Sequence, residues 1–172
     1  MKKIILVLCV LLMAVSGCSS TKDNSGRLME IYNKVKEAYG ENYLPSMMFE
    51  KEYLTEVMGV PGDDIKEFIA EGPMISAHVD MFVGIEAVDG KAQEVESALQ
   101  TYLEGQQQNM MMYPMNVPKM AAAKVVRVDN YVFYLCLGGY ADDETLDDTA
   151  QQTYYEQQNE IAEKIIKDIL GK

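Results

Sequence analysis

The sequence is poor in the residues from which metal centres and catalytic motifs are built. Its 172 residues include one histidine, His78, and three cysteines. No His-x-x-x-His or Cys-x-x-Cys spacing occurs, which argues against a zinc or other transition-metal site. Gly-x-Ser-x-Gly and glycine-rich phosphate-binding sequences are also missing. We therefore expect a protein without a bound cofactor.

Basic residues are scarce relative to acidic ones. The chain has 15 Lys and Arg residues against 27 Asp and Glu residues, a net charge of −12. Loss of residues 1–17, the signal predicted below, removes Lys2 and Lys3 and no acidic residue, which leaves −14. An acidic surface repels both nucleic-acid phosphates and anionic lipid headgroups. This charge argues against a nucleic-acid partner and against a domain that lies flat on a membrane.

The amino terminus carries the one long apolar run, residues 4–15. This run of about a dozen residues is shorter than the roughly 20 that a transmembrane helix needs. Two lysines precede it, as in a secretory signal. It ends in a Val-Ser-Gly-Cys sequence that resembles the bacterial lipobox, in which small residues admit the peptidase and the cysteine thiolate takes the lipid. We predict that residues 1–17 are a lipoprotein signal peptide and that Cys18 is lipidated.

This interpretation also defines the location of the mature protein. Residues 18–26 become a lipidated cysteine and a flexible polar tether. Because two or three acyl chains hold a membrane far better than one, we expect a lipid anchor on the outer, extracytoplasmic face of a bacterial cell membrane. The alternative is an ordinary signal peptide with a fortuitous cysteine.

If the signal is removed and Cys18 is lipidated, Cys136 is the one remaining cysteine and has no partner for an internal disulfide. We expect it to be a buried small hydrophobic residue.

The remaining residues, 27–172, are long enough for one domain. Apolar periodicity predicts, in chain order, helix 27–39, helix 51–58, one or two helical turns over 63–69, strand 76–88, helix 91–103, strands 125–128 and 131–137, and a final helix ending near 170. This order predicts an α+β fold: a small, mostly antiparallel sheet covered on one face by helices and preceded by N-terminal helices. The strands that flank helix 91–103 are candidates for parallel neighbours in a split βαβ arrangement.

Several short motifs stand out between Val79 and Tyr134. They are Asp80, Phe82, Gly84-Ile85, Asp89-Gly90-Lys91, Glu94-Val95, Leu99-Gln100, Tyr113-Pro114 and Asn130-Tyr131-Val132. In these motifs the segment resembles the DUF4358 domain of bacterial lipoproteins, mostly from Firmicutes, with a family-like core at about 74–138. The resemblance implies anchoring on the outer face of a Gram-positive membrane. It implies no catalytic residues, because the motifs form turns, a helix face and a hairpin.

Ser76, His78 and Asp80 are the residue types of a hydrolase triad, and they alternate along the predicted strand. Residues two apart on one strand face are about 6.8 Å apart, whereas the base and nucleophile of a triad lie within roughly 3 Å of each other. We therefore interpret this row as the polar face of a strand.

Two segments are candidates for binding. Met111, Met112, Tyr113 and Met115 form an apolar, pliable patch. Thioethers suit adaptable grooves and also ligate Cu(I), while the alternative is core packing around a helix end.

The second candidate is an acidic loop, which comprises Asp142, Asp143, Glu144 and Asp147. It offers oxygen ligands for Ca²⁺ but lacks the EF-hand spacing. The alternative is a solvated loop whose charges favour a helix N-terminus.

No complete catalytic set is present among these residues. We expect a non-enzymatic, membrane-anchored domain that binds a protein or envelope partner. The alternative is a solute- or metal-binding lipoprotein that uses the methionine patch or the acidic loop. A hydrolase is the third and least favoured function.

Overall fold

The structure, a computed structural model, describes residues 26–75, 77–141 and 146–172. Its helices are α1 (Arg27–Tyr39), α2 (Ala92–Gln107), α3 (Val117–Ala121) and α4 (Asp148–Leu170). Its strands are β1 (Met47–Met48), β2 (Ile65–Gly72), β3 (Met81–Ala87), β4 (Lys124–Val128) and β5 (Tyr131–Cys136). A π-helical turn (Tyr53–Val57) lies within the predicted helix 51–58. Among the described helices, none is both long and apolar enough to cross a bilayer.

The five strands form one antiparallel sheet in the order β1-β2-β3-β5-β4. This sheet and its helices confirm the predicted α+β fold. Strands β3 and β4 run parallel with β5 between them, which is the predicted split βαβ arrangement; only the expectation that they are direct neighbours is wrong. Every residue of β5 is buried, whereas β4 carries the exposed Arg127. The continuously apolar strand therefore takes an interior position, and the charged strand forms an edge.

The segment predicted as helical turns over 63–69 is mostly strand. Asp64 ends a short 3₁₀ turn, and β2 begins at Ile65. The sequence prediction is wrong because a register shift between Ile65 and Glu67 interrupts the two-residue period of the strand. The apolar residues Ile65, Phe68 and Ile69 consequently follow the spacing of a helix.

Helices cover both faces of the sheet, not one as predicted. On the first face, α1 and α4 pack through a core that includes Leu28, Ile31, Phe82, Phe133, Leu135 and Ile166. On the second, α2 and the π-helical turn pack through a core that includes Leu54, Val83, Ile85, Val95, Leu99 and Tyr134. The prediction failed because it interpreted the strand face with Ser76, His78 and Asp80 as polar, although β3 is buried along its whole length. We call these the α1/α4 face and the α2 face.

Cys136 lies at the end of β5 and is fully buried and unpaired, as predicted. Burial raises the pKa of its thiol to about 12. A thiol that stays protonated at neutral pH is a poor nucleophile, so Cys136 is a packing residue.

Candidate binding cleft

A cleft of about 330 Å³ opens on the α2 face, where the helices leave one end of the sheet uncovered. Its apolar lining consists of Phe49, Tyr53, Pro73, Val79, Met81, Tyr102, Met111, Met112, Tyr113, Met120 and Tyr134. Its polar lining consists of His78, Gln106, Asn109 and Asn116. These residues come from segments far apart in the chain, so the cleft is a product of the tertiary fold.

Aromatic side chains form one wall of the cleft. Phe49 stacks on Tyr53, with ring centroids 4.1 Å apart and planes 19° apart. Phe49 lies over Gly72 of β2, where an added Cβ would come within 2.3 Å of its ring. Only glycine lets the ring approach the strand this closely, so Gly72 is required for the position of Phe49 in the wall.

The deeper part of this wall carries tyrosine hydroxyls. The hydroxyls of Tyr53 and Tyr102 lie 3.2 Å apart and share a hydrogen bond. The Tyr134 hydroxyl donates to the Met120 sulfur at 3.6 Å. Burial raises the pKa of Tyr102 and of Tyr134, which keeps both phenols protonated and neutral.

A chain of hydrogen bonds forms the polar end of the cleft. Buried Asn116 donates through Nδ2 to the Ala77 carbonyl at 2.8 Å and accepts from the Tyr140 hydroxyl at 3.1 Å. His78 Nδ1 lies 2.8 Å from the same Tyr140 oxygen. Because the single Tyr140 hydroxyl hydrogen is given to Asn116, His78 Nδ1 must be the donor in this contact. The chain therefore fixes the orientation and the tautomer of the His78 ring.

Behind this polar end lies a completely buried ion pair. Lys119 of α3 donates to the Asp80 carboxylate and to the Gly138 carbonyl. Its ammonium group also lies 4.6 Å from the centroid of the Tyr140 ring. Burial raises the pKa of Asp80, and the Lys119 charge opposes that shift. Within the described residues, Asp80 Oδ2 has no hydrogen-bond partner.

The pair joins α3 to the start of β3 across 39 positions of sequence. Because α3 supplies Met120 to the cleft, the pair positions one of its walls. Sequence reasoning missed this pair. A signal did exist, since Lys119 is the one charged residue in the otherwise apolar stretch 117–123. A lone charge in such a stretch indicates a buried ion that requires a partner.

Exposed apolar side chains lie beside the cleft in two segments. In one segment, Met110 and Met111 are 98% and 92% exposed, and Tyr113 and Met115 are more than half exposed. Next to Pro73, which also lines the cleft, Met74 is 70% exposed and Ile75 is more than half exposed. We call these the methionine rim (110–115) and the 74–75 rim.

The predicted patch residues thus have different environments. Met111, Tyr113 and Met115 are exposed, while Met112 is half-buried and lines the cleft. Core packing, the alternative interpretation, holds instead for the nearby Met120. The fourteen residues 105–118 carry no charged side chain in a chain that is 24% charged. The methionine rim is therefore both exposed and uncharged.

The residues of the suspected triad do not work together. His78 binds Tyr140, and Asp80 pairs with Lys119. Ser76 lies outside the described residues, and His78 and Asp80 precede the strand instead of alternating along it. The polar row is therefore not the face of a strand.

The other predicted site residues lie close to or outside the limits of the described segments. Asp147 caps α4 by accepting a hydrogen bond from the Ala150 amide at 2.9 Å. Cys18, Asp142, Asp143 and Glu144 lie outside the described residues. The described part of the chain contains no group of three or more His, Cys, Asp or Glu residues able to hold a metal ion.

The fold and the cleft define a small α+β domain with one sheet face closed by two helices and the other partly open. The family described as a domain of unknown function, DUF4358, matches residues 23–137, about two thirds of the chain. The chain belongs to this family, as its motifs predicted. The match spans all five strands and the first three helices, whereas α4 lies beyond it. No curated protein and no solved structure matches the chain.

Proposed function

We propose that the protein is a lipid-anchored, extracytoplasmic lipoprotein of the bacterial cell membrane whose domain binds a protein partner without catalysis. The observation that carries the proposal is the pair of exposed apolar rims beside an apolar cleft. Exposed apolar surface of this kind is typical of an interaction site. Methionine suits such a site because its unbranched side chain adapts to different partner shapes.

The distribution of apolar surface favours a protein over a small molecule. A volume of about 330 Å³ is at the lower end of the range for small-molecule sites. A ligand of that size would leave Met74, Met110 and Met115, which do not line the cleft, in water. A protein that inserts one side chain into the cleft covers both rims as well, and buries the exposed apolar area that a small ligand leaves solvated.

Charge supports the same conclusion. The protein has a net charge of −12, so most of its surface is costly to desolvate against another macromolecule. Residues 105–118 are free of charge, so a partner removes them from water without stripping the hydration shell of an ion. The partner surface is accordingly expected to be apolar and uncharged at its centre.

The predicted anchor limits where the partner is found. Nine residues, 18–26, separate the predicted lipid from α1. A fully extended chain of that length spans at most about 30 Å. The domain therefore acts close to the membrane, on partners that are themselves membrane proteins or lie near the envelope surface.

Site-specific photo-crosslinking in living cells tests the partner. A photoreactive residue replaces Met111 on one rim, Met74 on the other, and, as a matched control, Met29, an exposed methionine of α1 on the α1/α4 face. We expect positions 111 and 74 to capture the same protein and position 29 to miss it. Capture from 111 and 74 no greater than from 29, in correctly localised protein, contradicts the proposal. An adduct of two copies of the chain identifies self-association instead.

The anchor is tested separately with Cys18→Ser. We expect this change to abolish incorporation of labelled palmitate and to move the protein from the membrane fraction to the medium. Membrane retention of the variant without label would mean that the anchor is not at Cys18.

A small uncharged solute is the second candidate, favoured by the hydrogen-bonding groups at the polar end of the cleft. A thermal-shift screen of metabolites and ions separates it from the protein partner. A shift that disappears in Met112→Ser supports the solute. If no compound shifts the melting temperature, the solute is not supported, and the photo-crosslinking result decides whether the partner is a protein.

A further inference from the structure

The tyrosine pair in the cleft has a hydrogen-bond donor to spare. Two hydroxyls carry two hydrogens, and the contact between Tyr53 and Tyr102 uses only one of them. Neither hydroxyl has a second partner within the described residues. Both rings line the cleft and are half-buried. The second hydrogen is therefore available to an acceptor that enters the cleft.

His78 supplies the complementary group. Its Nδ1 donates to Tyr140, as the chain of hydrogen bonds through Asn116 requires. In the neutral ring the hydrogen on Nδ1 leaves Nε2 with a free lone pair. Nε2 has no partner in the described part of the chain, and the ring lines the cleft. The cleft thus presents an acceptor as well as a donor.

The rest of the lining is uncharged and mostly apolar, with the amides of Gln106, Asn109 and Asn116 as its other polar groups. Phe49 and Tyr53 form a stacked pair, and Met81, Met112 and Met120 contribute thioethers. An ionised ligand group would lose its hydration there without meeting an opposite charge, since Lys119 is already engaged by Asp80. The lining favours an apolar body joined to a neutral group that both donates and accepts.

We infer that the cleft binds an uncharged peptide segment, with a backbone amide between the Tyr53–Tyr102 hydroxyls and His78 and an apolar side chain on the Phe49 wall. A secondary amide has one N–H donor and one carbonyl acceptor, which match the acceptor and the donor of the cleft. The inference rests on the proposed function and specifies what part of the partner the cleft recognises.

The test uses the full chain in phospholipid nanodiscs with its methionine methyl groups labelled for NMR. The probe is N-acetyl-L-phenylalanine N-methylamide, an aromatic side chain flanked by two secondary amides. We expect it to shift the methyl signals of Met81, Met112 and Met120, which line the cleft. The signal of Met29 on α1 is the internal control and is expected to stay in place.

Two changes test the hydrogen bonds. The double substitution Tyr53→Phe/Tyr102→Phe removes both hydroxyls and keeps the rings. We expect it to lower the affinity for the probe roughly two- to tenfold, the effect of one lost neutral hydrogen bond. The single variants keep one free hydroxyl and are expected to lose less. Tyr154→Phe, on α4 and outside the cleft lining, is the matched control and should bind as the wild type does.

The wild-type protein tests His78 without any substitution. A probe in which ester oxygens replace both amide N–H groups loses its donors, so we expect it to bind roughly two- to tenfold more weakly than the amide. The free acid N-acetyl-L-phenylalanine should bind more weakly still because its carboxylate is charged. This comparison does not depend on the folding of any variant.

Any one of three results would overturn the inference. They are amide and ester binding equally well, the double variant binding the amide as the wild type does, or the amide leaving the methyl signals of the cleft unmoved at millimolar concentration. In each case, capture of one protein from positions 74 and 111 would still support the proposed function. If positions 74 and 111 fail to capture that protein while the amide probe still binds, only the proposal of a protein partner is contradicted.

Discussion

The two faces of the sheet differ in how completely helices cover them. On the α1/α4 face, helices of 13 and 23 residues lie across the strands. On the α2 face, one helix of 16 residues is supplemented only by the π-helical turn and by the five-residue α3. Short elements bury less apolar surface than long ones. The cleft lies on this less completely covered face, and it is there that we propose the partner binds.

Two buried carboxylates show the same contrast. Glu71, on the α1 side of β2, accepts from the Tyr32 and Tyr43 hydroxyls at 2.7 and 2.9 Å and pairs with Lys36 at 3.3 Å. Asp80 meets Lys119 through one oxygen only, and its second oxygen has no partner within the described residues. The closed face satisfies its buried charge, whereas the charge next to the cleft remains partly unsatisfied.

The largest effect is expected at the ion pair beside the cleft. Lys119→Met leaves Asp80 charged and buried without its partner, so we expect a loss of roughly 3–5 kcal/mol in the free energy of unfolding. The double variant Asp80→Leu/Lys119→Met removes both charges and should recover most of that loss. Urea unfolding measures both. A double variant no more stable than the single variant would show that the pair holds α3 through its geometry and not through compensation of charge.

A pair of glycine substitutions compares a packed strand position on the α1/α4 face with an exposed helix position. In Gly84→Ala, the new Cβ would lie 2.7 Å from Leu28 Cδ1 and 3.0 Å from Phe133 Cε1, so we expect a loss of about 1–3 kcal/mol. In Gly105→Ala, on the exposed side of α2, the Cβ meets nothing within 4 Å. Better helix propensity should then stabilise the protein by about 0.5–1 kcal/mol. Thermal unfolding that moves both variants in the same direction would contradict this contrast between a packed and an exposed position.

Alkaline pH tests buried tyrosines from both faces. Burial raises the pKa of Tyr39 on the α1/α4 face and of Tyr102 on the α2 face well above the usual value of a tyrosine hydroxyl. Above about pH 10 the unfolded chain loses protons that the folded protein retains, so stability falls as the pH rises. Each such tyrosine contributes a slope of at most about 1.4 kcal/mol per pH unit.

Substitution identifies each contribution. Tyr39→Phe and Tyr102→Phe should each make the decline between pH 10 and 12 shallower than in the wild type. Urea unfolding at a series of pH values measures the slopes. A Tyr102→Phe variant with the wild-type slope would mean that Tyr102 ionises in the folded protein as readily as it does in the unfolded chain.

The smallest effect on stability is expected from oxidation of the rims. Hydrogen peroxide converts a thioether and one peroxide oxygen into a sulfoxide and water. Met110, Met111 and Met74 are exposed and should react first, while Met58 and Met81 are buried and should react slowly. We expect a change in unfolding free energy within about 0.5 kcal/mol, together with loss of the partner from position 111. Peptide mass spectrometry follows each site, and equal rates at Met58 and Met111 would contradict the exposed rim.

Local features of the fold were predictable because they depend on neighbouring residues. The spacing of Leu28, Ile31 and Val35 places one stripe of α1 in the core, as observed. Asp129 at φ 53° begins the two-residue turn that joins β4 to β5, and the residue types at this turn indicated the hairpin. The strand β2 was missed because its bulge imitates helical spacing. The methionine patch was found in the sequence, but its exposure was not.

The amino-acid sequence by itself determined the periodicity of the helices and strands, the acidic charge, the uncharged stretch 105–118 and the motifs of the family. All of these are properties of neighbouring residues. Only the tertiary structure decided that β5 separates β3 from β4, that Lys119 meets Asp80, and that two exposed rims flank one cleft. These depend on which segments meet in space, and the burial of apolar surface over the whole domain selects that arrangement. The short covering of the α2 face, more than any single residue, made the cleft.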